Sequence, residues 1–137
     1  MNAFTIFSIA NTATLLAWVT MIVLYRRPLA VRIARAFILF LCVLYALVLA
    51  GHWGEGEGGF GTLQEVMKLF DNPWITLGGW VHYLAFDLFI GSWIVEQGRL
   101  RQLTWWRYLP ALPLTFLFGP AGLGLYFFVN GRDSAHA

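Results

Sequence analysis

Apolar residues run in four long stretches, roughly Phe4–Tyr25, Ile33–Gly51, Pro73–Glu96 and Leu109–Val129, separated by polar connections. Each approaches the about 20 apolar residues that a helix needs to cross a bilayer. The first stretch lacks a basic leader and a small-residue cleavage site, so it is expected to be retained. Arg26, Arg27 and Pro28 stop it, and Arg32 and Arg35 follow. The longest connection, Gly54–Asn72, opens Gly-rich (GEGEGGFG) and then becomes periodic. Leu63, Val66, Met67 and Phe70 recur at helical spacing, and Thr62 with Glu65 fits a capping box. These positions predict a short amphipathic helix on the membrane surface or over the mouth of a bundle, either as a lid or as an ordinary interfacial helix. Asn72 and Pro73 form a helix-start signal for the third stretch. In the fourth, Gly119 and Pro120 predict a kink. The fold expected is an all-α integral membrane protein: one domain over residues 1–137, a bundle of four transmembrane helices with a short amphipathic helix between spans two and three.

Composition agrees with that pattern. The 137 residues are 59% hydrophobic, 18% aromatic and only 12% charged, against about a quarter charged in soluble domains. A net charge of +2, with no basic run interleaved with aromatics, argues against nucleic acid as a partner. Membrane lipid is the partner expected. Arg26, Arg27, Arg32, Arg35, Arg99, Arg101 and Arg107 fall in the connections on one side, whereas Lys68 and Arg132 alone fall on the other. The positive-inside rule then puts both termini and the acidic connection on the non-cytoplasmic side. Cys42 is the single cysteine, so no internal disulfide can form. The sequence shows no metal-ligating, P-loop, dinucleotide-binding or nucleophile-elbow pattern.

Candidate chemistry lies in the polar groups at depth. His82 and Asp87 sit near the middle of the third span, and an ionisable residue inside a membrane is a functional-site hypothesis by default. Asn11 falls at about the depth of His82, and Thr115 at about that of Asp87. At about 100° per residue, His82 and Asp87 point roughly 140° apart, so a direct pair is not expected. Asp87 shares its stripe with Trp80, Tyr83 and Gly91, and Tyr83 is its expected partner. His82 shares its stripe with Phe86, Phe89 and Trp93. Hydrocarbon disfavours a carboxylate, so Asp87 is expected as a neutral acid able to give a proton. The structural alternative is that these groups only tie helices together. Asn11 then serves an inter-helix hydrogen bond, and Thr115 bonds to its own helix. His52 and Trp53, at interface depth, read either as an amphipathic anchor or as ligand contacts. Glu96 is expected to pair with Arg99 or Arg101 at the surface.

The run LFDNPW…GGWVHYLAFDLFIGSWIVE, followed by LTFLFGPAGLGLYF, resembles the family of plant neoxanthin synthase, the abscisic-acid-deficient-four protein, and its bacterial relatives. The resemblance implies a membrane protein acting on a carotenoid. Plant members are required to convert violaxanthin, an epoxy-carotenoid, into the allenic neoxanthin. The family's polar motif positions fall here on His82, Tyr83, Asp87, Ser92 and Trp93. Such an isomerisation needs a proton donor at the epoxide oxygen and a base at the neighbouring carbon, with no redox cofactor. Asp87 as acid, His82 as base and Tyr83 beside them are the catalytic residues expected. Asn11, His52, Trp53, Trp80, Phe86, Ser92, Trp93 and Thr115 are expected to line a site for an isoprenoid or carotenoid ligand. The short chain, without a transit-peptide-like extension, is expected in a bacterial inner membrane. Three other readings compete: a carrier that binds the isoprenoid without chemistry, a b-type haem protein ligated by His52 and His82, and a subunit of a homo-oligomer or larger membrane complex.

Overall fold

Helices account for almost all of the regular structure among the described residues. The structure, a computed structural model, describes residues 2–131; Met1 and residues 132–137, including Arg132 and most of the polar tail, lie outside the described residues. Helix α1 spans Ala3–Val23 and α2 spans Pro28–His52. Asn2 caps α1 by accepting the Thr5 amide at 2.9 Å. Pro28, expected only to end the first span, opens α2 at its first turn, where a missing N–H costs nothing. Helix α3, Leu63–Phe70, has the expected capping box, with Thr62 and Glu65 each bonding to the other's backbone. Helix α4 runs Pro73–Leu100, capped by the Asn72 side chain on the amides of Trp74 and Ile75. A single 3-10 turn at Trp105–Arg107 leads to α5 (Ala111–Phe118) and α6 (Pro120–Asn130).

The fourth stretch departs from expectation. It is a hairpin of two helices rather than one kinked transmembrane span: a Cβ at Gly122 of α6 would lie 2.6 Å from the Ala111 carbonyl of α5, so the chain turns back and the end of α6 does not reach the side expected for it. Gly119 has φ 39° and ψ −94°, a left-handed backbone that favours glycine, and the next residue is a proline without an amide hydrogen. Together they break the helix outright. The third span also runs past Glu96 to Leu100. Asn130, at the end of α6, is buried and donates to the Arg107 carbonyl at 3.0 Å, which returns α6 to the start of the fourth stretch. By length and composition, α1 and α2 are long and apolar enough to cross a membrane. Large apolar side chains on the outer faces, among them Phe4, Leu16, Val23, Leu39, Leu47, Phe118 and Phe128, are more than half exposed. A surface so apolar marks contact with lipid or with another protein.

Helix α4 is central, packing against α1, α2, α3, α5 and α6. One core layer joins Trp18, Met21, Ala34, Leu88, Val95 and Leu112; a second joins Ala10, Leu41, Val48, Val81 and Ala85. Small residues on α4 make the approach close. A Cβ at Gly91 would lie 2.7 Å from Trp18 Cζ3 and 3.0 Å from Met21 Cε. Near the arginine-rich end, Arg35 of α2 bonds both Glu96 oxygens, at 2.9 and 2.8 Å. Glu96 therefore pairs across helices and not with Arg99 or Arg101 as expected. Gly91→Val should destabilise the fold by about 1–3 kcal/mol through overpacking. Gly124→Ala, whose Cβ meets nothing within 4 Å, should be neutral or mildly stabilising. Thermal unfolding in detergent compares the two.

Candidate functional site

A groove of about 630 Å³ opens beside the first turns of α4, walled by α2 and roofed by the Gly-rich connection and α3. That volume falls within the roughly 300–1,000 Å³ of small-molecule sites. Its wall is formed by Leu49, Trp53, Phe60, Leu69, Phe70 and Ile75, with Tyr45 and His82 at the deeper end. Glycine makes much of the remaining lining, at positions 54, 56, 58, 59 and 79. Space exists because these residues carry no side chain.

The roof is held by local hydrogen bonds. Glu65 accepts the Gly61 amide at 3.1 Å and the Thr62 amide at 3.2 Å. The Gly59 amide reaches the Glu65 carbonyl at 3.3 Å. Gly58 has φ +112°, and a Cβ there would press on the Glu65 carbonyl and lie 3.0 Å from the Leu69 amide. Asn72 ties the loop to α4 by donating to the Glu55 carbonyl at 3.2 Å. The Thr76 hydroxyl donates to the Phe70 carbonyl, joining α3 to α4. At the mouth, His52 stacks on Trp74 with ring centroids 3.9 Å apart, and its Nδ1 meets Glu55 Oε2 at 2.8 Å. Trp53 lines the groove and is 77% exposed.

The structure separates the polar groups that the sequence grouped by depth. His82 is exposed, stacks on Phe86 at 4.5 Å and faces Tyr45 at 5.7 Å. Asp87 lies on another face of α4, buried against the break between α5 and α6. A Cβ at Gly119 would be 2.8 Å from its Oδ1. Its Oδ2 has no hydrogen-bond partner among the described residues. The Tyr83 hydroxyl, one turn back, interacts with this carboxyl and reaches the Phe116 carbonyl at 3.3 Å. Asp87 and Tyr83 are thus neighbours one turn apart, with the Tyr83 hydroxyl donating to Phe116, and neither is among the residues lining the groove. Asn11 accepts from the Trp80 indole at 3.3 Å on the exposed side of α1 and α4. Thr115 and Ser92 each bond within their own helix, to the carbonyls of Ala111 and Phe89. Trp93 packs edge-on to Tyr126 with centroids 5.4 Å apart.

Sequence reasoning missed Tyr45 as a site residue, although it is the one polar group in the middle of α2. It also missed Phe60, Phe70 and Gly79. The usable signal was the GEGEGGF run ahead of an amphipathic helix, which places an unfilled, aromatic-edged loop over the start of α4.

Gly58→Ala should strain the left-handed turn by about 1–3 kcal/mol and loosen the roof. Hydrogen exchange over residues 54–61 should quicken while total helicity stays unchanged.

No curated protein and no solved structure matches the chain. The family model described as ABA DEFICIENT 4-like matches residues 5–126. That span takes in the α1–α4 bundle, the groove and the Asp87–Gly119 contact, so the chain belongs to the ABA DEFICIENT 4-like family.

Proposed function

We propose that the protein spans the membrane three times, through α1, α2 and α4, and holds the end of a carotenoid or related isoprenoid in the groove between α2 and α4. The groove itself carries this reading. It is apolar and aromatic, of ligand size, and edged by the imidazole of His82 and the hydroxyl of Tyr45. Helix α4, with 28 residues, is about 42 Å long at 1.5 Å per residue, ample for a third crossing. Helices α5 and α6 add no fourth crossing: they form a hairpin that enters beside α4, turns at Gly119 next to Asp87 and returns to Arg107 at the end of α6. The arginine-rich end faces the cytoplasm, which leaves the start of α1 and the groove on the opposite side of a bacterial inner membrane and the end of α6, bonded to Arg107, on the cytoplasmic side.

Within this reading the reaction is an isomerisation by proton transfer. His82 and Tyr45 face the bound end group, one accepting a proton and the other giving one. The apolar wall holds the polyene and keeps water from the reacting carbons. Asp87 serves the α5–α6 joint, with Tyr83 as its partner. The carrier reading is the second one, favoured by the absence of Asp87 from the groove lining, which removes the acid expected from sequence.

Protein purified from a carotenoid-producing host should carry a polyene absorbance, with the pigment identified by mass in a solvent extract. Phe60 is 81% exposed, so Phe60→Asp should spare the fold yet expel the apolar ligand by placing a charge at the groove. His82→Phe should keep the pigment and lower turnover of an epoxy-carotenoid by about 10²–10⁴-fold. A colourless protein carrying phospholipid alone would sink the groove assignment. Full turnover by His82→Phe would leave binding and remove the proton-transfer role.

A further inference from the structure

The opposite end of the molecule has a second cavity, of about 410 Å³, where the α1–α2 turn meets the end of α4 and the following 3-10 turn. Its wall includes Tyr25, Arg26, Arg99, Gln102, Trp105 and Tyr108, and no acidic side chain among the described residues lines it. Glu96, the acid nearest in sequence, is occupied by Arg35 at 2.8 Å. Arg26 donates through Nε to the Tyr25 hydroxyl at 2.8 Å and sits over its ring. Neither Arg26 nor Arg99 forms an ion pair among the described residues. Burial raises the Tyr108 phenol above its ordinary value, Tyr25 adds to the rise, and the guanidiniums of Arg26 and Arg99 oppose it. The phenol stays neutral at physiological pH and cancels none of the arginines' charge. Two guanidiniums therefore share one cavity with no counter-charge among the described residues.

The cavity is shaped by the way α4 ends. Gly98 leaves room for the Tyr108 ring, which a Cβ there would meet at 2.7–2.8 Å. The Leu103 amide returns to the Gly98 carbonyl at 2.8 Å, and the Gln102 amide to the Arg99 carbonyl at 3.1 Å. This is a Schellman ending, whose left-handed position is usually glycine. Here Gln102 holds it, with φ 50°, a conformation that disfavours any residue with a Cβ. The side chain kept despite that strain is one that lines the cavity. Trp105 and Trp106, each more than half exposed, mark this level as the membrane–water boundary.

We infer that this cavity binds a phosphate group, with Arg26 and Arg99 as its paired guanidinium ligands and Gln102 as an added amide donor. Guanidinium forks match phosphate oxygens in geometry and charge. Basic cavities between membrane helices are suited to phosphate-bearing headgroups. The phosphate comes from an anionic lipid headgroup or from a free phosphate ester, and the two sources are separable by experiment.

Intact protein in detergent is titrated with phosphatidylglycerol, with phosphatidylcholine and with inorganic phosphate, following tryptophan fluorescence and thermal unfolding. Saturable binding of phosphatidylglycerol over phosphatidylcholine is expected. Saturation by inorganic phosphate as well identifies a free phosphate ester as an admissible source; silence with phosphate assigns the site to lipid. The double variant Arg26→Gln/Arg99→Gln should bind about a hundredfold more weakly, roughly tenfold per lost charged hydrogen bond. Arg32→Gln/Arg101→Gln removes the same charge outside the cavity and should bind nearly as the parent does. If the first double variant does not fold, Arg99→Lys keeps the charge but loses the fork, and should bind severalfold more weakly. Equal weakening in both double variants, equal affinity for the two lipids, an unweakened Arg99→Lys or no saturable signal would each overturn the site.

Discussion

Close approach to α4 is the constraint on which the rest of the structure depends. Four of its glycines each face a side chain from a different part of the chain. Leu49 of α2 lies on Gly78, Phe70 of α3 on Gly79, Trp18 of α1 on Gly91, and Tyr108 of the following connection on Gly98. In lipid the outer surface is already solvated by hydrocarbon, so helices gain little from hiding apolar area. Association has to come from contact, and contact needs backbones near enough for side chains to seat. A glycine at each of these positions provides that. The neighbours follow the same register: α2 lies along α4 from Gly78 to Glu96, α1 from Trp80 to Gly91, and the α4–α5 connection packs at its end.

The two ends of α4 acquire different chemistry from this one device. At the start, glycines in the roof and at position 79 leave a volume edged by aromatic rings, with few polar atoms in its wall. At the finish, Gly98 admits Tyr108, and the Schellman turn carries Arg99 and Gln102 to the rim of a polar cavity. Apolar space at one end and arginines without an acidic partner among the described residues at the other give the molecule a direction. The Arg35–Glu96 pair neutralises the one acid in α4 that would otherwise lie near the cationic end.

Much of this architecture was legible in the chain. Apolar run length located α1, α2 and α4, and the Thr62–Glu65 box with the 63–66–67–70 spacing located α3 almost to the residue. Those signals are local, which is why they survive folding unchanged. The break at Gly119 was under-read, because glycine followed by proline gives a kink or a full stop depending on what packs against it. Here the carboxyl of Asp87 fills the space where a side chain at 119 would stand. The site was harder still. Depth along a helix says nothing of azimuth, and His82 and Asp87, close in depth, end on different faces. The partner of Glu96 was misjudged for a related reason: sequence proximity favoured Arg99 and Arg101, whereas helix packing delivered Arg35 from α2.

An ionisable group at depth is commonly read as a centre of chemistry, yet Asp87 shows how architecture can call for one. A broken helix leaves the amides of its new first turn without partners, and its aligned peptide dipoles favour negative charge or an acceptor there. The Asp87 carboxyl lies where α6 begins, beside a proline that contributes no amide hydrogen. The carboxyl thus faces the positive end of α6, although no α6 amide bonds it and its Oδ2 has no hydrogen-bond partner among the described residues. His82 meets no comparable demand. It is exposed at the groove, stacked on one aromatic ring and facing another, with no hydrogen bond to a described residue. Of the two, the histidine is the one that borders the groove, and that is why the proposed chemistry is placed there and not at the joint.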